Sequence, residues 1–245
     1  MKKFILLLII LFFGATLPSA AAQAKFDDFA ANASKDNLEY FVEDLSGLLG
    51  AGAFTTGRIL GWGGFMLSAR AAVMPKPNKN NTAFGPAEGS QYKLYPWIQG
   101  EIGLPFRLDG YIRASSYDGL TVAGGGLKWG IIPPKEVLYT FQPMVVVLAE
   151  SGVHKNFSLT HYSANFVLSF KLPYVVPYIG GGVDYSKLTV QNADDISLIG
   201  ATAYSTTPRG TAGLNFKLPA YVDLSLAANY ASYGVGAEAS LGVRF

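Results

Sequence analysis

The chain has 245 residues, of which 50% are apolar and 15% charged, with 28 glycines, 14 tyrosines, 16 phenylalanines, no cysteine and a formal net charge of +2. That charge is too small for a nucleic-acid-binding surface. The charged fraction lies below the roughly 25% of a soluble domain, and the lack of cysteine excludes disulfides and lipid attachment through a thiol.

In chain order, the first feature is "MKKFILLLIILFFGATLPSAAAQA": two lysines, an unbroken apolar run, then small residues. This is the layout of a secretory signal peptide, with cleavage after Ala22 or Ala24. Residues 1–24 are therefore expected to be removed on export. In residues 25–57, Leu38, Phe41, Val42, Leu45, Leu48 and Leu49 recur at the spacing of one helical face. Ser34 is placed to cap that helix. Asp36, Glu39, Glu43 and Asp44 fall mostly on the other face, and Gly50 and Gly52 end the helix. The segment predicts one amphipathic helix over 35–50 and a Gly-rich link. It is expected to pack beneath a barrel mouth, with a plug inside the barrel as the alternative.

From residue 58 to 245 the period becomes two. Tyr162, Ala164, Phe166, Leu168 and Phe170 alternate with His161, Ser163, Asn165, Val167 and Ser169, and the last run alternates likewise. Ten strands are expected, near 59–73, 92–104, 107–117, 120–131, 137–149, 157–171, 174–189, 208–217, 220–231 and 234–245, with eight as the alternative count. Runs of about ten residues suit a tilted strand crossing a bilayer. After the leader no apolar run is long enough for a transmembrane helix. "GLPFRLDG", "FKLPYVVP" and "FKLPAYVD" place Pro105, Pro173 and Pro219 at tight turns, and "IIPPKEVL" is a fourth. On the opposite side, 74–91 and 191–208 are long and polar, while 117–119 and 232–234 are tight. Short turns on one side and longer loops on the other is the asymmetry of outer-membrane barrels. Both chain ends then fall on the short-turn, periplasmic side.

One face of these strands is aromatic and aliphatic. The other carries Arg70, Glu101, Asp109, Arg113, Lys128, His161, Asp184, Asp223, Glu238 and Arg244. This mixed-charge set fits a narrow polar lumen, and the apolar set fits lipid. Tyr92, Tyr95, Trp97, Trp129, Tyr139, Phe141, Tyr174, Tyr221 and Phe245 are expected in the aromatic girdles at the lipid interfaces.

The closing "AEASLGVRF" resembles the C-terminal recognition signal of bacterial outer-membrane β-barrel proteins: a final aromatic, Phe245, with Leu241 and Val243 at alternate positions before it. The resemblance covers about residues 58–245 and marks an architectural class, without a named subfamily. It implies residence in the Gram-negative outer membrane. It also implies insertion by the barrel-assembly machinery, with periplasmic chaperones and outer-membrane lipid as partners and no nucleic acid. The helix before the barrel is similar in position to the plug of fatty-acid transport channels, whose barrel is larger.

Catalytic chemistry is weakly signalled. His161 and Ser163 share the inward face, but no third member stands at a recognisable spacing. His154 reads as a loop residue. Asn192, Asp194 and Asp195 are too few for a calcium loop, and the glycine runs 124–126 and 180–182 lack the strand–helix context of a phosphate loop. No cofactor or metal is expected. The sequence therefore predicts a small non-enzymatic outer-membrane barrel, structural or binding in role or a narrow pore. The alternatives are transport of a hydrophobic small molecule with the helix as gate, and a lipid-modifying enzyme.

Overall fold

The structure is a computed structural model that describes residues 22–23, 25–85, 91–133 and 137–245. Most of the expected signal peptide and the centre of the "IIPPKEVL" turn lie outside the described residues. A two-residue strand, β1 (Ala22–Gln23), is followed by short helical turns at Phe26–Asp28 and Phe29–Asn32 and by helix α1 (Leu38–Gly50). Ten longer strands come next: β2 (Phe65–Met74), β3 (Gln91–Leu104), β4 (Leu108–Tyr117), β5 (Leu120–Gly130), β6 (Phe141–His154), β7 (Phe157–Phe170), β8 (Val175–Val190), β9 (Thr202–Leu218), β10 (Val222–Ala231) and β11 (Gly234–Arg244).

Each of β2 to β11 pairs antiparallel with the next, and β11 pairs back onto β2, closing a ten-stranded barrel. The closing seam ends where Phe65 and Phe245 exchange backbone hydrogen bonds of 3.2 and 2.8 Å. The Leu-Pro turns crowd one rim, here the turn rim. At two of them the proline precedes a pair of left-handed residues, Phe106–Arg107 and Ala220–Tyr221. Two positive φ angles in succession match the twist of a tight hairpin. At the opposite loop rim, Asp118–Gly119 makes the same kind of turn, and the connections 75–90 and 191–201 are long.

Alternation sets the two faces of the wall. Outward lie Ile98, Ile112, Phe166, Ile179, Leu214 and Leu226, all exposed; inward lie the charged and amide residues, nearly all buried. A barrel with its apolar face outward is built for lipid, and its strands of 10 to 17 residues are long enough to span it. Trp129, Phe141, Tyr174, Tyr221 and Phe245 form an exposed aromatic ring near the turn rim, and Tyr162, Tyr185, Tyr204 and Tyr230 lie nearer the loop rim. Tyr95 and Trp97 do not join them. Both are buried inside the barrel, because they share strand parity with Gln99 and Glu101.

Several boundaries differ from the expected ones. β2 starts at Phe65, since residues 59–64 cross the turn rim, where Gly63 N–H donates to the Gly103 carbonyl at 3.3 Å. β6 runs on to His154 and β9 begins at Thr202. His154 is thus an inward strand residue, packed on Phe157 at a centroid separation of 4.9 Å. The helix starts at Leu38, and Ser34 does not cap it. Instead the Ser34 N–H donates to Asn37 Oδ1 at 2.8 Å.

The larger correction concerns where α1 lies. It packs against β2, β7, β8, β9 and β10 from within, so it fills the lumen and does not sit below the mouth. Two glycines allow the approach: a Cβ at Gly47 would come within 2.5 Å of Ala231 Cβ, and one at Gly50 would overlap the Arg209 and Asp184 side chains. Asp44, expected on a solvated face, is fully buried for the same reason.

Candidate functional site: a threaded lumen

The N-terminal segment enters at the loop rim, where Ala22 and Gln23 pair parallel with Gln91 and Tyr92. The expectation that both chain ends share the turn rim is therefore corrected at the N-terminal end of the described chain. Phe26 N–H donates to Asp118 Oδ2 at 3.0 Å, beside the Lys93–Asp118 ion pair. The Lys93 ammonium stands 3.5 Å over the Phe26 ring, an attractive cation–π geometry. Phe26, Phe29, Phe41, Phe84 and Phe157 stack into one cluster, with centroids 4.8–6.2 Å apart, continued by Tyr95 and Trp97. The loop-side half of the lumen is thus a packed apolar core. Asp194 N–H donates to the Ala30 carbonyl at 2.9 Å, so the 191–201 loop clasps the segment. Among the described residues no cluster of metal-ligating side chains occurs.

Below this core the lining is charged. A helix C-terminus presents carbonyls without intrahelical partners and the negative end of its dipole. Arg113 Nη2 donates to the Leu49 carbonyl and Arg113 Nη1 to the Ala51 carbonyl at 3.0 Å. Arg70 Nη1 donates to the Gly52 carbonyl at 2.6 Å. Each arginine is paired in turn with a buried acid. Arg113 donates to both oxygens of Glu150 at 2.8 and 2.9 Å. Arg70 bonds to Glu101, which also takes Lys128 at 2.5 Å and Gln99 at 2.8 Å. The helix terminus therefore rests on two guanidinium groups that the wall already holds in place.

The remaining expected residues occupy the same interior. Asp184 and Glu238 flank Arg209 at 3.4 and 3.6 Å. Asp109 accepts from the Leu60 N–H at 2.6 Å, anchoring the link. Asp223 accepts from Lys217 through both oxygens at 2.9 Å and from Arg244 at 3.1 Å, at the mouth. Arg113 meets Glu150, which the expected set did not include. Glu150 was unmarked because it lies past the expected strand 137–149, and Lys217 because it stands beside a proline turn; Arg209 lay inside the expected strand 208–217 without being singled out.

His161 is fully buried, with Nδ1 2.8 Å from Ser186 Oγ and Nε2 4.0 Å from Asp184 Oδ1. Serine, histidine and aspartate are thus adjacent, and all three are buried, with Asp184 against Gly50 of α1. Of the residues expected to form an assembly signal, Phe245 is exposed and packs 6.0 Å from Phe65. Val243 is partly covered, and Leu241 is buried between its neighbours on the outer face. The pair of left-handed residues at each of two turns carried no glycine signal.

No family model matches the chain, and no curated protein does. Solved structures are similar in fold. The N-terminal β-barrel domain of Pseudomonas aeruginosa OprF is 12% identical, with 76% of this chain and 99% of that one covered and a TM-score of 0.37. The KdgM porin is 8% identical over 74% and 99%, with a TM-score of 0.37. OprG of Pseudomonas aeruginosa is 11% identical over 78% and 99%, with a TM-score of 0.35. At such identities and TM-scores no activity transfers from them.

Proposed function

We propose that this chain is a small non-enzymatic β-barrel of the bacterial outer membrane, a narrow pore held shut by its own N-terminal segment. The observation that carries this reading is the threaded lumen: residues 25–60 run from the loop rim to the turn rim, and the end of α1 is seated on Arg70 and Arg113. In this reading the signal peptide directs export, the barrel-assembly machinery and periplasmic chaperones deliver the chain, the turn rim faces the periplasm and the loop rim faces outward. The enclosure of His161 beneath α1 supports a role without catalysis.

The aromatic upper lumen favours one second reading, passage of a hydrophobic small molecule when the segment moves. Planar-bilayer conductance separates these. The full chain should conduct at or near zero. A barrel lacking residues 25–60 should show discrete openings, since the segment that fills its lumen is then gone. A refolded, heat-modifiable deletion that stays silent refutes the pore and leaves a structural or binding role.

A further inference from the structure

Lys187 is the one charged side chain on the outward face of the ten strands among the described residues. A charge turned toward lipid is costly at the middle of a bilayer and tolerated near the headgroups. Lys187 lies near the loop-rim end of β8, one outward position beyond Tyr185. We infer that it holds the phosphate of an anionic membrane lipid in the leaflet at the loop rim, with an acyl chain of that lipid in a trough on the wall below. The inference rests on the reading of the outward face as the lipid face, and it assigns one place on that face to one class of lipid.

Charge complementarity is the first argument. No carboxylate among the described residues pairs with Lys187, whose ammonium stands 5.6 Å from the ring centre of Tyr204. Lys187 is opposite Thr160 of β7 and Tyr204 of β9, and Tyr185 is opposite Tyr162 of β7. The three tyrosines form a row with successive ring centres 6.3 and 6.5 Å apart, each 38–51% exposed. A tyrosine suits the headgroup boundary, with its ring toward the chains and its hydroxyl toward the phosphate. The row thus sets phenol donors beside one ammonium, on a face whose described strand residues include no acid.

Shape is the second argument. Toward the middle of the wall the row borders a trough of about 500 Å³. Gly125, Ala149 and Ala164 leave little side chain there, and Leu127, Val147 and Val183 stand around them. Gly125 lies opposite Ala149, and Ala149 opposite Tyr162, so the small residues meet the tyrosine row on one rung. An acyl chain in the trough gains dispersion contacts from its floor and its sides. An apolar trough that leads to a lone cation has the layout of an anionic lipid, tail and head.

The test uses the full chain refolded into vesicles of phosphatidylglycerol and phosphatidylcholine in equal parts, then gently extracted and weighed by native mass spectrometry. The expected result is one retained phosphatidylglycerol, favoured over phosphatidylcholine by about fivefold, the size of one lysine's attraction to an anionic headgroup. Lys187→Gln should abolish that preference and Lys187→Arg should keep it. Ala149→Leu, which fills the trough, should lower retention of both lipids. Lys79→Gln removes the same charge from an exposed position in the 75–90 connection and should change nothing. An inserted chain without the preference, or a preference that Lys187→Gln leaves intact, overturns the proposal. A lipid-free dimer gives the face to a second copy, and displacement by glycerol phosphate gives it to a soluble anion; either overturns the assignment. A chain that refolds yet does not enter vesicles overturns the membrane reading itself, which is a separate failure.

Discussion

Replacing Arg113 with alanine tests the seat of the helix most directly. The guanidinium supplies two bonds to Glu150 and one each to the Leu49 and Ala51 carbonyls. Its removal leaves Glu150, whose side chain has no exposed surface, as an uncompensated buried charge. Breaking a buried pair from one side costs about 3–5 kcal/mol. Each orphaned carbonyl adds about 1 kcal/mol or more if water does not replace the donor. Arg113→Ala should therefore destabilise the barrel by at least about 3 kcal/mol. Arg113→Lys, which cannot reach all four acceptors, should cost about 2 kcal/mol. Adding Glu150→Ala to Arg113→Ala should recover part of the loss, because the stranded carboxylate goes with it. Urea unfolding in vesicles, followed by tryptophan fluorescence, gives the measurement. Trp97 lies 5.1 Å from the Arg113 guanidinium and reports on the site itself. If Arg113→Ala unfolds within about 1 kcal/mol of the unaltered chain and the double variant recovers nothing, the helix terminus is not held as argued.

Two further outcomes follow from the geometry. Asp44 accepts from the Asn78 N–H at 2.8 Å and from Asn81 Nδ2 at 2.7 Å, yet burial pushes its carboxyl up from 3.8 to about 6. The folded form holds the proton more tightly than the unfolded form, so this residue favours folding at acid pH. Stability should decline by up to about 3 kcal/mol as pH rises from 4 to 6; chemical unfolding at pH 4 and pH 7 measures it, and Asp44→Asn should flatten the slope. Deleting Phe245 removes both terminal backbone bonds of the seam and the contact with Phe65. The heat-modifiable fraction in isolated membranes should fall, while the conductance of molecules that do insert stays unchanged; normal insertion would refute the assembly role.

The period of two made the barrel and its strand number legible, because a wall with lipid on one side and polar groups on the other must alternate. It failed where the outward face is not aliphatic. Tyr204 and Thr206 face outward on β9, and such a run reads as loop, which hid Ser205 and Thr207 on the other face. Tyr95 and Trp97 were readable from parity with Gln99 and Glu101; the habit of placing aromatics at lipid interfaces overrode it. The helix was legible from its spacing, but its position was not. A face of Asp44, Ser46, Gly47 and Gly50 looks made for water, and only the wall it meets shows that small size and paired polar groups serve enclosure instead.

The seam between β2 and β11 bears on how the barrel can be built. These are the first and last of its ten strands, and the link joins β2 at the foot of that seam. No chain end needs to be pushed through a finished tube. An open, curved sheet of β2 to β11 can fold sideways around the segment, with the aromatic cluster serving as the surface on which the wall curls. The seam closed in this way ends at the rungs of Phe65 with Phe245. What later stops the lumen would first have been the template that shaped it.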